Sequence, residues 1–280
     1  MVKRVHKFGR TAARKIIPER KLMDNKTSGG KCLIIAGSKG LFGAAVLAAT
    51  AASRVGAGYV TLMTDEKKFK VTEHPDFLTL DYRPKNLKKN KFSAFAIGPG
   101  LGQSTRSFNL LKALLHLNVK NVVIDADALN LYAKYFSRPL PESWIATPHE
   151  GELGRLLKLS VDEIRRNRIH VALLAQKKLG CILLLKGAKT LVINSEQIFE
   201  LQSGNVALAK AGTGDVLTGM IAGFLAQKSE PFQAACLGGY LHGLIADNWI
   251  KENNDYLSFM ASDLNSAIAQ NLRELRCHKN

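Results

Sequence analysis

The chain has 280 residues, a formal net charge of +17 and a sequence pI near 9.8, with 46% hydrophobic residues. That apolar fraction can offset the entropy of ordering the backbone, which excludes dominant disorder, and the length suits one large α/β domain or two smaller ones. A membrane span is excluded too, because no run approaches the ~18 apolar residues that a bilayer requires. Ten Lys and Arg stand against Glu19 and Asp24 in residues 1–31, which is +8 of the total. Residues 1–16 read as a solvated basic extension, and 17–280 as one domain. The charge excess suits nucleic acid, a membrane surface or anionic small molecules. With 7% aromatics and no RNP-like or helix-turn-helix pattern, nucleic-acid and membrane partners are not expected.

Short apolar runs bounded by Gly or Pro predict strands at 32–36, 59–64, 77–82, 94–97, 121–125, 144–146, 181–185, 191–194 and 197–201. Stretches of helical period predict helices at 43–55, 105–117, 128–134, 150–157, 161–179, 215–227, 231–251 and 262–275. Ser160 followed by Glu163 is a capping box for the helix at 161. The alternation implies βαβ units and an α/β fold, a central mostly parallel sheet covered by helices on both faces. Ligands then bind at the carboxyl ends of the strands. Cys32, Cys181, Cys236 and Cys277 are far apart and read as reduced thiols of a cytoplasmic chain.

The strand-end loops carry the chemistry. Residues 36–40 (AGSKG) form a small-residue turn into a helix, suited to close backbone approach or simply to tight packing. GPGLG at 98–102 resembles a dinucleotide fingerprint, but its third glycine comes one residue early and Pro99 removes an amide. Asp125 and Asp127 suit either Mg²⁺ held through water beside phosphates, or a turn acid and an N-cap. TPHEGE at 147–152 is polar for its place: Glu150 and Glu152 complement a helix dipole, whereas His149 suits a ligand contact. KGAKT at 186–190 lacks P-loop spacing and reads as a hairpin turn. Gly212, Thr213 and Gly214 open a helix whose free amides form an anion hole, with Asp215 at the same terminus. A carboxylate there can take a proton from a substrate hydroxyl while the amides hold a transferred phosphoryl group.

The motifs GPGLG, DADALN, TPHEGE, KGAKT and GNVALAKAGTGDVLTG, in this order, resemble those of the ADP/ATP-dependent NAD(P)H-hydrate dehydratases, members of the ribokinase-like superfamily. The resemblance runs from about residue 18 to about residue 270. It implies a ribokinase-like fold and a repair reaction. ADP or ATP, with Mg²⁺, phosphorylates the ring hydroxyl of the S-form of NADHX or NADPHX, and loss of phosphate restores NADH or NADPH. Carried over by position, Ala45, Gly100, His149 and Asp215 contact the hydrate. Lys186, Gly187, Ala188, Lys189, Thr190 and Gly214 contact the adenine nucleotide, and Asp215 is the catalytic residue. The resemblance leaves the Mg²⁺ ligands open. It implies a homo-oligomer, a tetramer by analogy, and a stand-alone dehydratase unit without the epimerase domain fused to it in many bacteria. Three departures stand out: Glu150 where many members have Pro, Lys210-Ala211 where many have Thr-Gly, and Thr27-Ser28-Gly29-Gly30 in place of S-H-K-G-x-x-G. The alternative is a ribokinase-like kinase for a vitamin precursor of the hydroxymethylpyrimidine or hydroxyethylthiazole type. Such kinases tend to carry Asn where this chain has His149.

Overall fold

The computed structural model describes residues 4–65, 76–88 and 91–277. Its strands are β1 (Val5–Phe8), β2 (Lys31–Ile35), β3 (Tyr59–Met63), β4 (Leu78–Thr79), β5 (Ala94–Ile97), β6 (Val122–Ile124), β7 (Ile145–Ala146), β8 (Ile182–Leu185), β9 (Leu191–Ile193) and β10 (Ile198–Leu201). They form one sheet in the order β1-β10-β9-β8-β7-β6-β5-β2-β3-β4. β9 runs antiparallel to β8 and β10, and every other described pairing is parallel. The helices are α1 (Arg10–Lys15), α2 (Phe42–Arg54), α3 (Thr105–Leu117), α4 (Ala126–Tyr135), α5 (Glu150–Leu157), α6 (Val161–Arg166), α7 (Arg168–Leu179), α8 (Thr213–Ala226), α9 (Pro231–Lys251) and α10 (Ala261–Arg276).

Strand side chains alternate between faces with a period of two, so near-continuous apolar strands feed two cores. Cys32, Ile34, Ala94 and Ala96 pack with α1, α2, α8, α9 and α10. Leu33, Ile35, Phe95 and Ile97 pack with α3 to α7. The expected α/β sandwich with helices on both faces is therefore present.

Three expectations change. The basic arm is not wholly solvated: its residues 5–8 pair with β10, Val5 opposite Ile198 and Phe8 opposite Leu201. Buried Phe8 supplies the reason, an apolar anchor among charges. The helix expected over 161–179 breaks at Asn167 (φ −129°, ψ 40°), although the Ser160–Glu163 capping box forms. The strand expected over 77–82 shrinks to two residues beside β3, and a 3-10 turn at Pro84–Lys88 follows.

The chain runs outward from β2 to β3 and β4, then returns to β5 on the other side of β2. Between β2 and β5 lies the topological switch point at which such sheets bind ligands. Helix α8 points at this edge from within the core. Its 14 residues include 12 buried ones, as its all-round apolar sequence requires. It lies close to α2 because a β-carbon at Gly219 would overlap the carbonyl of Ala48.

Candidate functional site

The loops after β2 and β5 are stitched together by one backbone and one side-chain hydrogen bond. Gly37 N donates to Pro99 O at 2.9 Å, and Ser38 Oγ donates to Gly100 O at 2.9 Å. Gly98 has φ 133°, and a β-carbon there would overlap Asp125 O, so only glycine lets β5 close onto β6. Gly102 N donates to Asp127 Oδ2 at 2.8 Å. The GPGLG loop thus seats the DADALN loop. Gly100, half-buried at φ 53°, faces Leu41 and Ala44. Ala45 is fully buried against Gly37, so it is not brought to the surface with the other expected substrate contacts.

Asp125 occupies the N-cap position of α4, the place expected for Asp127, but its side chain makes no cap bond. It is 1% exposed, with Oδ1 2.8 Å from Lys186 Nζ and Oδ2 accepting from Thr218 Oγ1 at 2.8 Å. Its neighbour Ala126 is held at φ 47°, a strained conformation of the kind that clusters at functional sites.

His149 is the N-cap of α5. Its Nδ1 accepts from the amides of Gly151 and Glu152, at 3.0 and 3.4 Å, while Glu152 Oε2 accepts from His149 N at 2.8 Å. This capping box is the reason for the histidine that the local sequence did not supply. The ring remains 55% exposed. Glu150 is neutralised by Arg165 and Arg168, at 2.8 and 2.6 Å, while Lys210 Nζ donates to Leu257 O. Arg168 Nη2 also donates to Lys186 O at 2.9 Å and Leu185 O at 3.2 Å.

Lys186, Gly187, Ala188, Lys189 and Thr190 form the turn of the β8–β9 hairpin, closed by Thr190 Oγ1 donating to Gly187 O at 3.1 Å. Lys186 bends back into the site. Its Nζ also lies 3.7 Å from Glu152 Oε2, and 3.6 Å from where a β-carbon on Gly214 would sit. Burial opposes its charge, but Asp125 and Glu152 outweigh that effect and raise its pKa.

Gly212, at φ 89°, is the N-cap of α8. Thr213 is bound inward: its Oγ1 donates to Leu208 O and Lys210 O, both at 2.9 Å, and its amide meets Lys210 O at 3.4 Å. Of the three residues expected to form an anion hole, Thr213 is thus turned inward, while the Gly214 and Asp215 N–H groups belong to the first turn, where a helix offers its amides no partner of its own. Asp215 sits half-buried beside them. Burial, then the charge of Asp125, pushes its carboxyl up to about 7, against the opposing pull of Lys186. Two contributors escaped the sequence reading. Thr218 lies one turn along α8 from Asp215, a spacing that does signal a shared face. His242 is a lone histidine in the apolar run of α9, and nothing in the sequence marked it.

For a divalent cation, the described residues contain no group of three or more His, Cys, Asp or Glu placed to hold one. Both Asp125 oxygens and one Asp127 oxygen are already engaged. This donor set fits Mg²⁺ carried by phosphates and water with one or two carboxylates in attendance, not a closed protein cage.

A family model described as NAD(P)H-hydrate dehydratase matches residues 32–270. A bifunctional NAD(P)H-hydrate repair enzyme of Coxiella burnetii is 36% identical over 89% of this chain and 51% of its own length. The ADP-dependent (S)-NAD(P)H-hydrate dehydratase of Neisseria meningitidis is 36% identical over 80% of this chain and 78% of its own. The ADP/ATP-dependent NAD(P)H-hydrate dehydratase of Bacillus subtilis, co-crystallized with ATP/Mg²⁺, superposes with a TM-score of 0.84 at 30% identity, over 97% of this chain and 99% of its own. The chain spans about half the length of the first bifunctional relatives it matches. With its ribokinase-like sandwich and the glycine loop at the switch-point edge, the chain belongs to the NAD(P)H-hydrate dehydratase family.

Proposed function

We propose that this chain restores NADH or NADPH from the S-form of NADHX or NADPHX at the expense of ADP or ATP. The carrying observation is Asp215, a half-buried carboxylate pushed up to about 7 beside the amides that open α8. A base with a pKa near the working pH is well matched to taking a proton from an alcohol as it attacks. In the proposed reaction the ring hydroxyl oxygen forms a bond to the terminal phosphorus of the nucleotide while the bond to the bridging oxygen breaks. Asp215 receives the hydroxyl proton. The Gly214 and Asp215 amides, with Lys186, face the transferred phosphoryl oxygens and stabilise the charge that develops there. The ring carbon–oxygen bond then breaks with its electron pair leaving on phosphate, the adjacent ring carbon loses a proton, and the carbon–carbon double bond of the reduced nicotinamide forms.

Position by position, Gly100 and His149 are assigned to the hydrate, and Lys186 to Thr190 and Gly214 to the nucleotide. Mg²⁺, when bound with the nucleotide, neutralises phosphate charge. Ala45 lines this region only from beneath. The curated dehydratases and the ATP/Mg²⁺ complex of the Bacillus subtilis protein support this reading over a vitamin-precursor kinase. Among the described residues no helix is long and apolar enough to cross a membrane. A cytoplasmic location and a homo-oligomer, four copies by analogy, belong to the same proposal.

The test is a coupled assay with purified protein, NADHX, ADP or ATP and Mg²⁺, read as the return of reduced-nicotinamide absorbance. Recovery of absorbance only with nucleotide is expected. No recovery with either nucleotide, in protein shown to be folded, overturns the reading.

A further inference from the structure

The peptide unit between Thr213 and Gly214 is held from behind. Its amide hydrogen belongs to Gly214, in the proposed anion hole. Its carbonyl oxygen, on Thr213, lies 2.9 Å from Nε2 of His242, which reaches it from α9. Only a donor can satisfy a carbonyl, so Nε2 carries the hydrogen of this bond. A carbonyl has two lone pairs, and the imidazole can therefore share Thr213 O with the helical ladder of α8. In a trans peptide the C=O and N–H bonds point in opposite directions across one rigid plane. Fixing the carbonyl on the α9 side thus fixes the Gly214 N–H on the ligand side. A donor on the carbonyl also polarises the same peptide, which strengthens the amide as a donor in turn.

The rest of α9 supports this picture. Asp247, on the same helix, accepts from Gly204 N and Asn205 Nδ2, each at 2.9 Å. Ser203 Oγ donates to Tyr240 O at 2.8 Å. A β-carbon at Gly243 would collide with Ser203 and Gly204, so this helix meets the start of the loop without a gap. The helix grips the loop at its start through Asp247 and Tyr240, and at its end through His242. The imidazole is buried, and burial holds its pKa down to about 4, opposed by its bond to Thr213 O and aided by the charge of Lys186. It therefore stays neutral, with its ring hydrogen in place, across the physiological range.

We propose that His242 is a positioning residue for the reaction: its Nε2–H, bonded to Thr213 O, sets the Gly214 amide in the orientation and polarity that binds the transferred phosphoryl group. This inference rests on the dehydratase reading above. Removing one anion-hole donor outright typically lowers kcat by 10²–10³-fold, which bounds the effect of misorienting one. The distinguishing pair of variants is His242→Leu, which keeps much of the volume and removes the donor, and His242→Gln, whose side-chain amide can present a donor in its place. His242→Leu is expected to lower kcat about 100-fold, with KM for hydrate and nucleotide within about threefold, while His242→Gln recovers most of the loss. In protein labelled at glycine nitrogens, the Gly214 amide resonance is expected to move in His242→Leu and to return towards its original position in His242→Gln. Circular dichroism and a urea melt establish that both variants fold.

Equal loss of kcat in both folded variants, or a kcat within about threefold of the parent in His242→Leu, overturns the proposal. So does a Gly214 resonance unmoved by His242→Leu. If the unsubstituted chain shows no turnover of NADHX, the dehydratase reading fails. The Gly214 resonance then still decides whether His242 orients that peptide.

Discussion

Lys186 Nζ and Asp125 Oδ1 lie 2.8 Å apart, joining the end of β8 to the start of α4 across 61 positions of sequence. Asp125 is almost wholly buried and its second oxygen is taken by Thr218, so this pair ties the hairpin, the DADALN loop and α8 together. A buried pair broken on one side leaves an uncompensated charge, which costs about 3–5 kcal/mol. Lys186→Met is expected to destabilise the protein by about that amount in a urea titration, less whatever water reaches Asp125. Because Lys186 holds the Asp215 carboxyl down, its loss is also expected to move the acid limb of kcat/KM upward from about 7. An unmoved limb in a folded variant would show that Lys186 does not reach Asp215 electrostatically.

Asp215 itself links activity and stability with opposite signs. Its folded pKa, about 7, stands above its ordinary value of 3.8, with burial as the main cause and Asp125 as the next. As the proposed base it acts deprotonated, so kcat/KM is expected to rise with pH on a limb centred near 7. The native state binds this proton more tightly than the unfolded chain does. The resulting stability is present below about pH 4 and is lost as pH rises through 7. At pH 8 the native state carries a buried charge that Asp215→Asn removes. That variant is therefore expected to be inactive yet more stable than the parent by roughly 1–3 kcal/mol at pH 8, with the advantage gone at pH 4. Equal urea midpoints at pH 8 would refute the burial account.

Much of this was legible in the chain, for identifiable reasons. The strands at 94–97 and the helices at 105–117, 150–157 and 231–251 carry their own boundaries, such as Ser104 capping at Ser107 N and Pro231 opening α9. The position of Asp215 in the first turn of α8 was legible because Gly212-Thr213-Gly214 stands immediately before a long apolar run of helical period. What the sequence hid was mostly non-local. His149 is the local exception: its partners stand two and three residues on, but His is not among the usual N-cap residues Ser, Thr, Asp and Asn, so it read as a ligand contact alone. Asp125 read as a metal or turn acid because its partners, Lys186 and Thr218, stand 61 and 93 positions away. The strand at Val5–Phe8 lay under a charge pattern that described only its outward face.

Glu150, a departure from many relatives, is absorbed by Arg165 and Arg168 rather than left to repel an anion. Arg168 joins Glu150 to the carbonyls of Leu185 and Lys186, at the root of the loop assigned to the nucleotide. Arg168→Met removes that brace without touching Asp215. The expected result is a nucleotide KM raised about tenfold, equivalent to about 1.4 kcal/mol, with kcat changed less. Titration of nucleotide binding by calorimetry checks it. A kcat loss larger than the KM change would instead place Arg168 in the chemical step.

The edge strand offers the last test. Phe8 is 4% exposed, with its ring 5.7 Å from that of Phe199 and 5.9 Å from that of Tyr240, and its carbonyl accepts from Gln202 N at 3.0 Å. These contacts lie at the β1 edge of the sheet, away from the β2–β5 switch point. Truncating a buried Phe to Ala removes transferred surface and leaves a cavity, typically at a cost of 3–5 kcal/mol. An edge site that can collapse belongs at the lower end. Phe8→Ala is expected to cost about 3 kcal/mol in a urea titration while kcat/KM measured well below the melting temperature stays within about twofold. Lys7→Ala, an exposed residue on the same strand, is expected to change stability by less than about 0.5 kcal/mol. Equal effects of the two substitutions would mean that the arm contributes charge but no core. A large Phe8 effect beside a negligible Lys7 effect makes this basic segment an integral strand of the domain.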